Sequence, residues 1–406
     1  MTLARGRHFL SIPGPSAMPE RVLAAMHRDA PNIYEGEIIR LTQTVLTGLA
    51  DVARTRHSAM IYIANGHGAW EAALVNTLSP GDRVLCLATG RFALGWADMA
   101  ERLGAVVDRL DFGSQAPVEP QAVEDALRAA PDTKAVLVCQ TDTATSVLND
   151  IPAIRAAMDA AGSDALLMSD NIVSLACDEF HMDDWGVDVM VAGSQKGLMT
   201  PPGLGLVFAG PKARDARKTA ALVTPYWDWE PRISADEQYR IFCGTAPTHH
   251  IYGLAAALDM LAEEGLEQVW ARHRLLARAV HAAVEAWGQS GPWALNIANP
   301  AARSTAVTVI RAGSVDVPAL RQFAEHELGV TLGIGLSLGD PQAGARDTGV
   351  FRIGHMGHLN PPMLLGTLGA IETTMAALGL PHGRGGVDAA AATIAEGLSA
   401  MSRAAQ

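Results

Sequence analysis

The strongest constraint in this sequence is an alternation. Short apolar runs, Ile61-Tyr62-Ile63-Ala64, Arg83-Val84-Leu85-Cys86-Leu87, Val106 to Leu110 and Ala135-Val136-Leu137-Val138-Cys139, are separated by stretches of helical period at Ala69 to Leu78, Ala93 to Leu103 and Pro120 to Ala129. Runs without polar alternation suit strands buried on both faces, and a β-α-β-α series lays such strands side by side with helices above and below. The series predicts an α/β domain with a mostly parallel sheet, whose strand carboxyl ends open onto one crevice. Two further runs extend it. Ala165-Leu166-Leu167-Met168 ends in Ser169-Asp170-Asn171, and Val187 to Ala192 ends in Gly193-Ser194-Gln195-Lys196-Gly197. Pro201-Pro202-Gly203-Leu204-Gly205 then leads into a returning strand, Gly205 to Ala209.

The fold would thus deliver an acid, Asp170, and an amine, Lys196, to the same crevice. One reading is a buried ion pair, or two unrelated strand-end residues. The other is pyridoxal phosphate, whose aldehyde condenses with a lysine and whose ring nitrogen an aspartate keeps protonated. Three neighbouring turns bear on the choice. Asn65-Gly66-His67-Gly68 sits between a strand and a helix start, where free N–H groups and the helix dipole can hold a phosphate, although glycines in such turns are also common for geometric reasons. Thr89-Gly90-Arg91-Phe92 and Gln140-Thr141-Asp142-Thr143 follow two other strands. Phe92 could stack on a planar ring and the Thr143 hydroxyl could bond it; a loop aromatic is more often packing.

The 406 residues exceed one ordinary core, so two domains are expected. The 31 basic and 43 acidic residues leave a net charge of -12, which argues against a nucleic-acid or anionic-membrane surface, so an anionic substrate needs a local positive site. No apolar segment reaches the roughly eighteen residues that span a bilayer. The start lacks a signal-peptide core and the end is not a peroxisomal address, so the cytosol is the expected location. Cys86, Cys139, Cys177 and Cys243 form no Cys-x-x-Cys pair and read as reduced packing residues. No metal site is expected: His249-His250 and His355-x-x-His358 lack a carboxylate at ligand spacing and suit neighbours of an anionic ligand better. Gly203-Leu204-Gly205 and Gly333-Ile334-Gly335 fall short of a dinucleotide fingerprint, and Gly-x-Ser-x-Gly is absent.

The chain divides on paper into an arm at 1–20, containing Ile12-Pro13-Gly14-Pro15-Ser16, a large domain at 21–275, a small C-terminal α+β domain at 276–385, and a tail helix at 386–406. The small domain is read from Ala306 to Ile310 (strand), Val317 to Leu328 (helix), Gly349 to Ile353 (strand) and Pro361 to Leu378 (helix).

Taken together, Gly193-Ser194-Gln195-Lys196-Gly197, Pro202-Gly203, Asp170, Asn65-Gly66-His67-Gly68-Ala69-Trp70-Glu71, Pro13-Gly14-Pro15 and Phe351-Arg352-Ile353-Gly354 resemble the class V aminotransferases, within them the serine–glyoxylate and alanine–glyoxylate enzymes. The resemblance covers nearly the whole chain in order. It implies pyridoxal-phosphate fold type I, a large domain with a mostly parallel seven-stranded sheet. It also implies a homodimer, with a tetramer as the alternative. In such an enzyme Lys196 would bind the cofactor aldehyde and move the substrate proton, and Asp170 would pair with the ring nitrogen. Gly66, His67, Thr143 and Gln195 would hold the phosphate, Phe92 would stack on the ring, Ile172 would line the cofactor site, and Thr245 would reach the phosphate of the neighbouring subunit. Arg352 would clamp the substrate α-carboxylate, because a planar guanidinium matches it with two parallel hydrogen bonds.

The implied reaction moves the amino group of serine, alanine or aspartate to glyoxylate or pyruvate by a ping-pong mechanism. Pyridoxamine–pyruvate and ureidoglycine–glyoxylate transamination, or a lyase of the same fold, are the alternatives. This chain departs from the family pattern at Gln140, Asp142 and Ser146, where His, Glu and Gly are usual, and at Phe242, where a tyrosine is common; these departures bear on the choice of amino donor.

Overall fold

The structure is a computed structural model that describes residues 2–234, 237–336, 338 and 347–404. In chain order its strands are β1 (Phe9–Ser11), β2 (Ser58–Ile63), β3 (Arg83–Ala88), β4 (Val106–Asp111), β5 (Thr133–Cys139), β6 (Thr141–Asp142), β7 (Val147–Leu148) and β8 (Leu166–Asp170). They continue as β9 (Val189–Gly193), β10 (Leu204–Ala209), β11 (Ala294–Leu295), β12 (Val307–Arg311), β13 (Val330–Gly335) and β14 (Asp347–Gly354).

Seven of these form the large sheet, in the order β2-β10-β9-β8-β5-β3-β4. The β4-β3-β5-β8-β9 pairings are parallel. Only β10 runs the other way, antiparallel to both β9 and β2. Both faces of the sheet are apolar because successive side chains point to opposite sides. Val136 and Val138 of β5, with Met190 and Ala192 of β9, enter one core. Ala135 and Leu137, with Val189 and Val191, enter the other. The sheet is therefore fully covered, as a parallel sheet requires.

A second sheet, β1-β13-β14-β12-β11, belongs to a separate hydrophobic core. That core takes Leu276 to Trp287 from the helix Leu266–Gly288, and Ala390 and Ile394 from the helix Gly386–Ala404. The tail helix is thus part of this second core. The helix Leu266–Gly288 is continuous through the expected boundary at 275. The arm also divides differently from the sequence reading: β1 pairs in parallel with β13 as an edge strand of the small sheet. Ile12 to Ser16 then crosses to the large domain, where Ser16 N–H donates to the Gln195 carbonyl at 2.9 Å. We keep 21–275 and 276–385 as proposed limits, with β1 added to the small domain.

Candidate active site

Six strands of the large sheet share one direction, so the residues after β2, β3, β5, β8 and β9 emerge at the same edge. This places the Gly66 turn, Phe92, Thr143, Asp170 and Lys196 around one crevice. Arg352 arrives from the small domain in β14, paired between Val309 and Gly333.

Asp170 ends β8 and is 4% exposed. Its Oδ1 accepts the Ile172 amide at 2.7 Å, and its Oδ2 accepts the Trp70 indole N–H at 2.8 Å and the Cys139 thiol at 3.7 Å. Burial raises its pKa to about 7, and the donors only partly offset this. A carboxyl in that state favours a cationic partner.

Lys196 lies in the loop after β9, and the loop is held by its own chemistry. Ser194 Oγ donates to the Pro201 carbonyl at 2.7 Å, and Ser16 Oγ donates to the Lys196 carbonyl at 2.7 Å. A Cβ on Gly197 would come within 2.2 Å of the Leu175 carbonyl oxygen, so only glycine lets the turn pack there. Lys196 Nζ donates to the Pro13 carbonyl, and a Cβ on Gly14 (φ +90°) would strike the lysine side chain. Burial, and then the positive Arg352, lower the amine to about 8. A neutral amine, which can take a proton, is therefore accessible near neutral pH.

Arg352 is 7% exposed. Its Nε donates to the Ile334 carbonyl at 2.7 Å and its Nη1 to the Thr143 carbonyl at 3.0 Å, which pins the guanidinium between the domains. Burial pushes its pKa down to about 10, opposed by Asp142, so it stays charged.

The helix Gly66–Val75 begins at Asn65, whose side-chain oxygen accepts the His67 and Gly68 amides at 3.1 and 3.2 Å. Of the two amides expected to hold a phosphate, Gly66 and His67, the His67 amide is thus shared with the helix cap. Gly66 is packed so closely that a Cβ would meet Ile172 Cδ1 at 2.3 Å. The Gln195 carboxamide oxygen is buried with no partner among the described residues. Thr245 is exposed in the single chain.

Three residues carry roles that the sequence reading did not assign. Trp70 was visible only as part of a motif, yet it bonds Asp170. Cys139, read as packing, donates to the same carboxyl. Asp142 is fully buried and accepts the Phe92 and Ala93 amides at 2.8 and 3.2 Å and the Ala144 amide at 2.9 Å. It therefore caps the helix Arg91–Arg102 from the loop after β5. An acid three residues after a buried strand's end, opposite a Gly-x-aromatic helix start, was the available signal.

Three of the histidines singled out in the sequence are held by the chain itself. His355 lies buried between Thr308 Oγ1 (2.8 Å) and the Thr305 carbonyl (2.9 Å), and burial lowers it to about 4. His249 and His250 contact the carbonyls of Arg28 and Pro202. Among the described residues no group of three His, Cys, Asp or Glu side chains is placed to hold a metal ion, and no helix is long and apolar enough to cross a membrane.

A family model for class-V aminotransferases matches residues 9–354, from the start of β1 to the end of β14. The chain is 37% identical over 396 residues to the serine–glyoxylate aminotransferase of Arabidopsis thaliana, spanning 96% of this chain and 95% of that protein. It is 37% identical over 376 residues to the L-aspartate–glyoxylate aminotransferase of Paracoccus denitrificans, spanning 91% of each. Among solved structures, pyridoxamine–pyruvate aminotransferase from Mesorhizobium loti superposes with a TM-score of 0.87 at 30% identity, covering 98% of this chain and all of that one. With both sheets inside the match and a lysine, an aspartate and an arginine gathered at the crevice between them, this chain belongs to the class-V aminotransferases and is an aminotransferase of fold type I.

Proposed function

We propose that the chain is a cytosolic, homodimeric pyridoxal-phosphate transaminase that moves the amino group of serine, alanine or aspartate to glyoxylate or pyruvate. The observation that carries this reading is the pairing of opposite perturbations at one crevice: a carboxyl at Asp170 that burial raises to about 7 and an amine at Lys196 that burial lowers to about 8. The residues fit the cofactor. A protonated ring nitrogen beside Asp170 supplies the cation that this buried acid favours. The Gln195 carboxamide, its oxygen unpartnered, can turn its N–H groups to an anion.

When bound, pyridoxal phosphate supplies an electron sink conjugated to the substrate Cα. Asp170 would keep the ring nitrogen protonated. Arg352 would bind the α-carboxylate and so orient the Cα–H bond toward Lys196, whose neutral Nζ would take and return that proton. Phe92 would stack on the ring, and Gly66, His67, Thr143, Ile172 and Gln195 would hold the cofactor, with Thr245 reaching the phosphate of the neighbouring subunit.

One observation favours a second reading, pyridoxamine–pyruvate transamination. The Asn65 cap already uses the His67 amide, one of the two cradle amides, which suits a substrate without phosphate, and a relative so named shares the fold.

The test is purification with pyridoxal phosphate, measurement of the retained visible absorbance, and a screen of serine, alanine, aspartate and pyridoxamine against glyoxylate and pyruvate. Retained cofactor with an α-amino acid donor supports the main reading. Arg352→Ala should then lower kcat/KM for every α-amino acid by about 2–4 kcal/mol, the range for one partner of a buried charged pair. Failure to bind the cofactor, or wild-type preference for amines without a carboxylate, would overturn it; pyridoxamine as the only donor would establish the second reading.

A further inference from the structure

Asp170 does not stand alone in its pocket, and the arrangement around it is asymmetric. A carboxylate offers about four lone-pair positions. Three are taken by the chain: Trp70 Nε1 and Cys139 Sγ on Oδ2, and the Ile172 amide on Oδ1. Trp70 is the strongest of the side-chain donors and is itself immobilised. It is 1% exposed and lies flat against Trp96, with ring centroids 6.0 Å apart and planes 15° apart. The same indole meets the Phe92 ring edge-on at 6.3 Å and the His67 ring at 4.4 Å. One buried side chain therefore touches the acid, the stacking aromatic and the glycine-turn histidine.

We infer that Trp70 is the positioning residue of the cofactor site: its indole N–H fixes the Asp170 carboxylate through Oδ2 and leaves one lone pair of Oδ1 for a ring N–H. This rests on the reading of the crevice as a pyridoxal-phosphate site. Trp70 acts through Asp170, not on the cofactor. Its hydrogen bond favours the charged carboxylate, which burial disfavours, so its loss shifts Asp170 toward the protonated form that cannot pair with a ring N–H. The other titratable groups facing Asp170 are Cys139 at the end of β5, Asp142 in the following loop and Lys196 after β9. Of these, Asp142 opposes the charged form and Lys196 favours it.

The experiment is titration of cofactor-depleted protein with pyridoxal phosphate, read by absorbance from mildly acid to alkaline pH, for wild type, Trp70→Phe, Asp170→Asn and the double variant. Trp70→Phe should weaken binding about tenfold or more, the scale of a hydrogen bond to a charged group, and move the acid limit of binding to higher pH. In the Asp170→Asn background the same change should add nothing. Equal affinity and an equal acid limit in wild type and Trp70→Phe would overturn the inference, as would an undiminished loss in the Asp170→Asn background, which would mark Trp70 as packing only. Should Trp70→Phe fail to fold, replacing the indole by benzothiophene at position 70 keeps the shape, removes the N–H and is read the same way. A wild type that binds no pyridoxal phosphate overturns the proposed function and this inference with it; a wild type that binds while the variants behave alike overturns the inference alone.

Discussion

At residue 170 the ordinary carboxyl pKa of 3.8 is raised to about 7 by burial, and the consequence reaches stability. Between these values the folded, cofactor-free protein holds a proton that the unfolded chain releases. Stability therefore falls as pH rises through this window and levels off above about 7. Asp170→Asn removes the dependence. In urea unfolding of cofactor-free protein, the variant should exceed wild type at pH 8 by on the order of 2–4 kcal/mol, with the difference vanishing near pH 4. A constant difference across that range would show that Asp170 does not titrate in the fold. The same raised acid and lowered amine make the crevice legible as a site, but neither shift is written in a sequence. Asp170 and Lys196 could be picked out as strand-end residues; their perturbation required knowing that they are buried.

At the scale of elements, the departures from the family pattern prove to be structural parts. Asp142 joins the loop after β5 to the first turn of the helix Arg91–Arg102, which carries Phe92. Gly90 makes room for it: a Cβ there would meet Asp142 Cγ at 2.5 Å. Gly90→Ala should cost about 1–3 kcal/mol by overpacking, measured as a lowered denaturation midpoint, and should weaken cofactor binding as Phe92 shifts. Unchanged binding would separate the cap from the site. Gln140 donates from Nε2 to the Glu179 carbonyl (2.8 Å) and accepts at Oε1 from the Asn171 side-chain Nδ2 (2.5 Å), next to Asp170. Ser146 adopts φ +62°, the left-handed conformation that a glycine enters freely, and its Oγ accepts the Val309 amide at 3.3 Å. Phe242 is 1% exposed, so its ring belongs to the core and a hydroxyl would need a partner there. Loop letters of this kind have no period to read, which is why the sequence could only mark them as unusual.

Across the whole molecule, the arm from β1 to Ser16 connects the small sheet to the lysine loop, so movement of one domain against the other would be felt at Lys196. The proposed dimer makes a separate demand. Thr245 is exposed in the single chain, and an exposed threonine contributes little to its stability. Thr245→Ala should therefore leave the thermal midpoint of the cofactor-free protein nearly unchanged while weakening pyridoxal-phosphate binding about tenfold, as one lost hydrogen bond to a charged group would. Cofactor titration beside sedimentation checks this, and an unaltered affinity in an intact dimer would remove Thr245 from the site.

The sequence alone determined the helix and strand series of the large sheet, its mostly parallel direction and hence the shared edge at which Asp170 and Lys196 emerge. These follow from local periodicity and from the handedness of β-α-β connections, which depend on neighbours in the chain. Only the tertiary structure decided that β1 joins the small sheet through β13, that the tail is core, and that Trp70, one hundred positions before Asp170, is its hydrogen-bond donor. Contacts of that kind are set by how distant surfaces fill space together, and no local pattern encodes them.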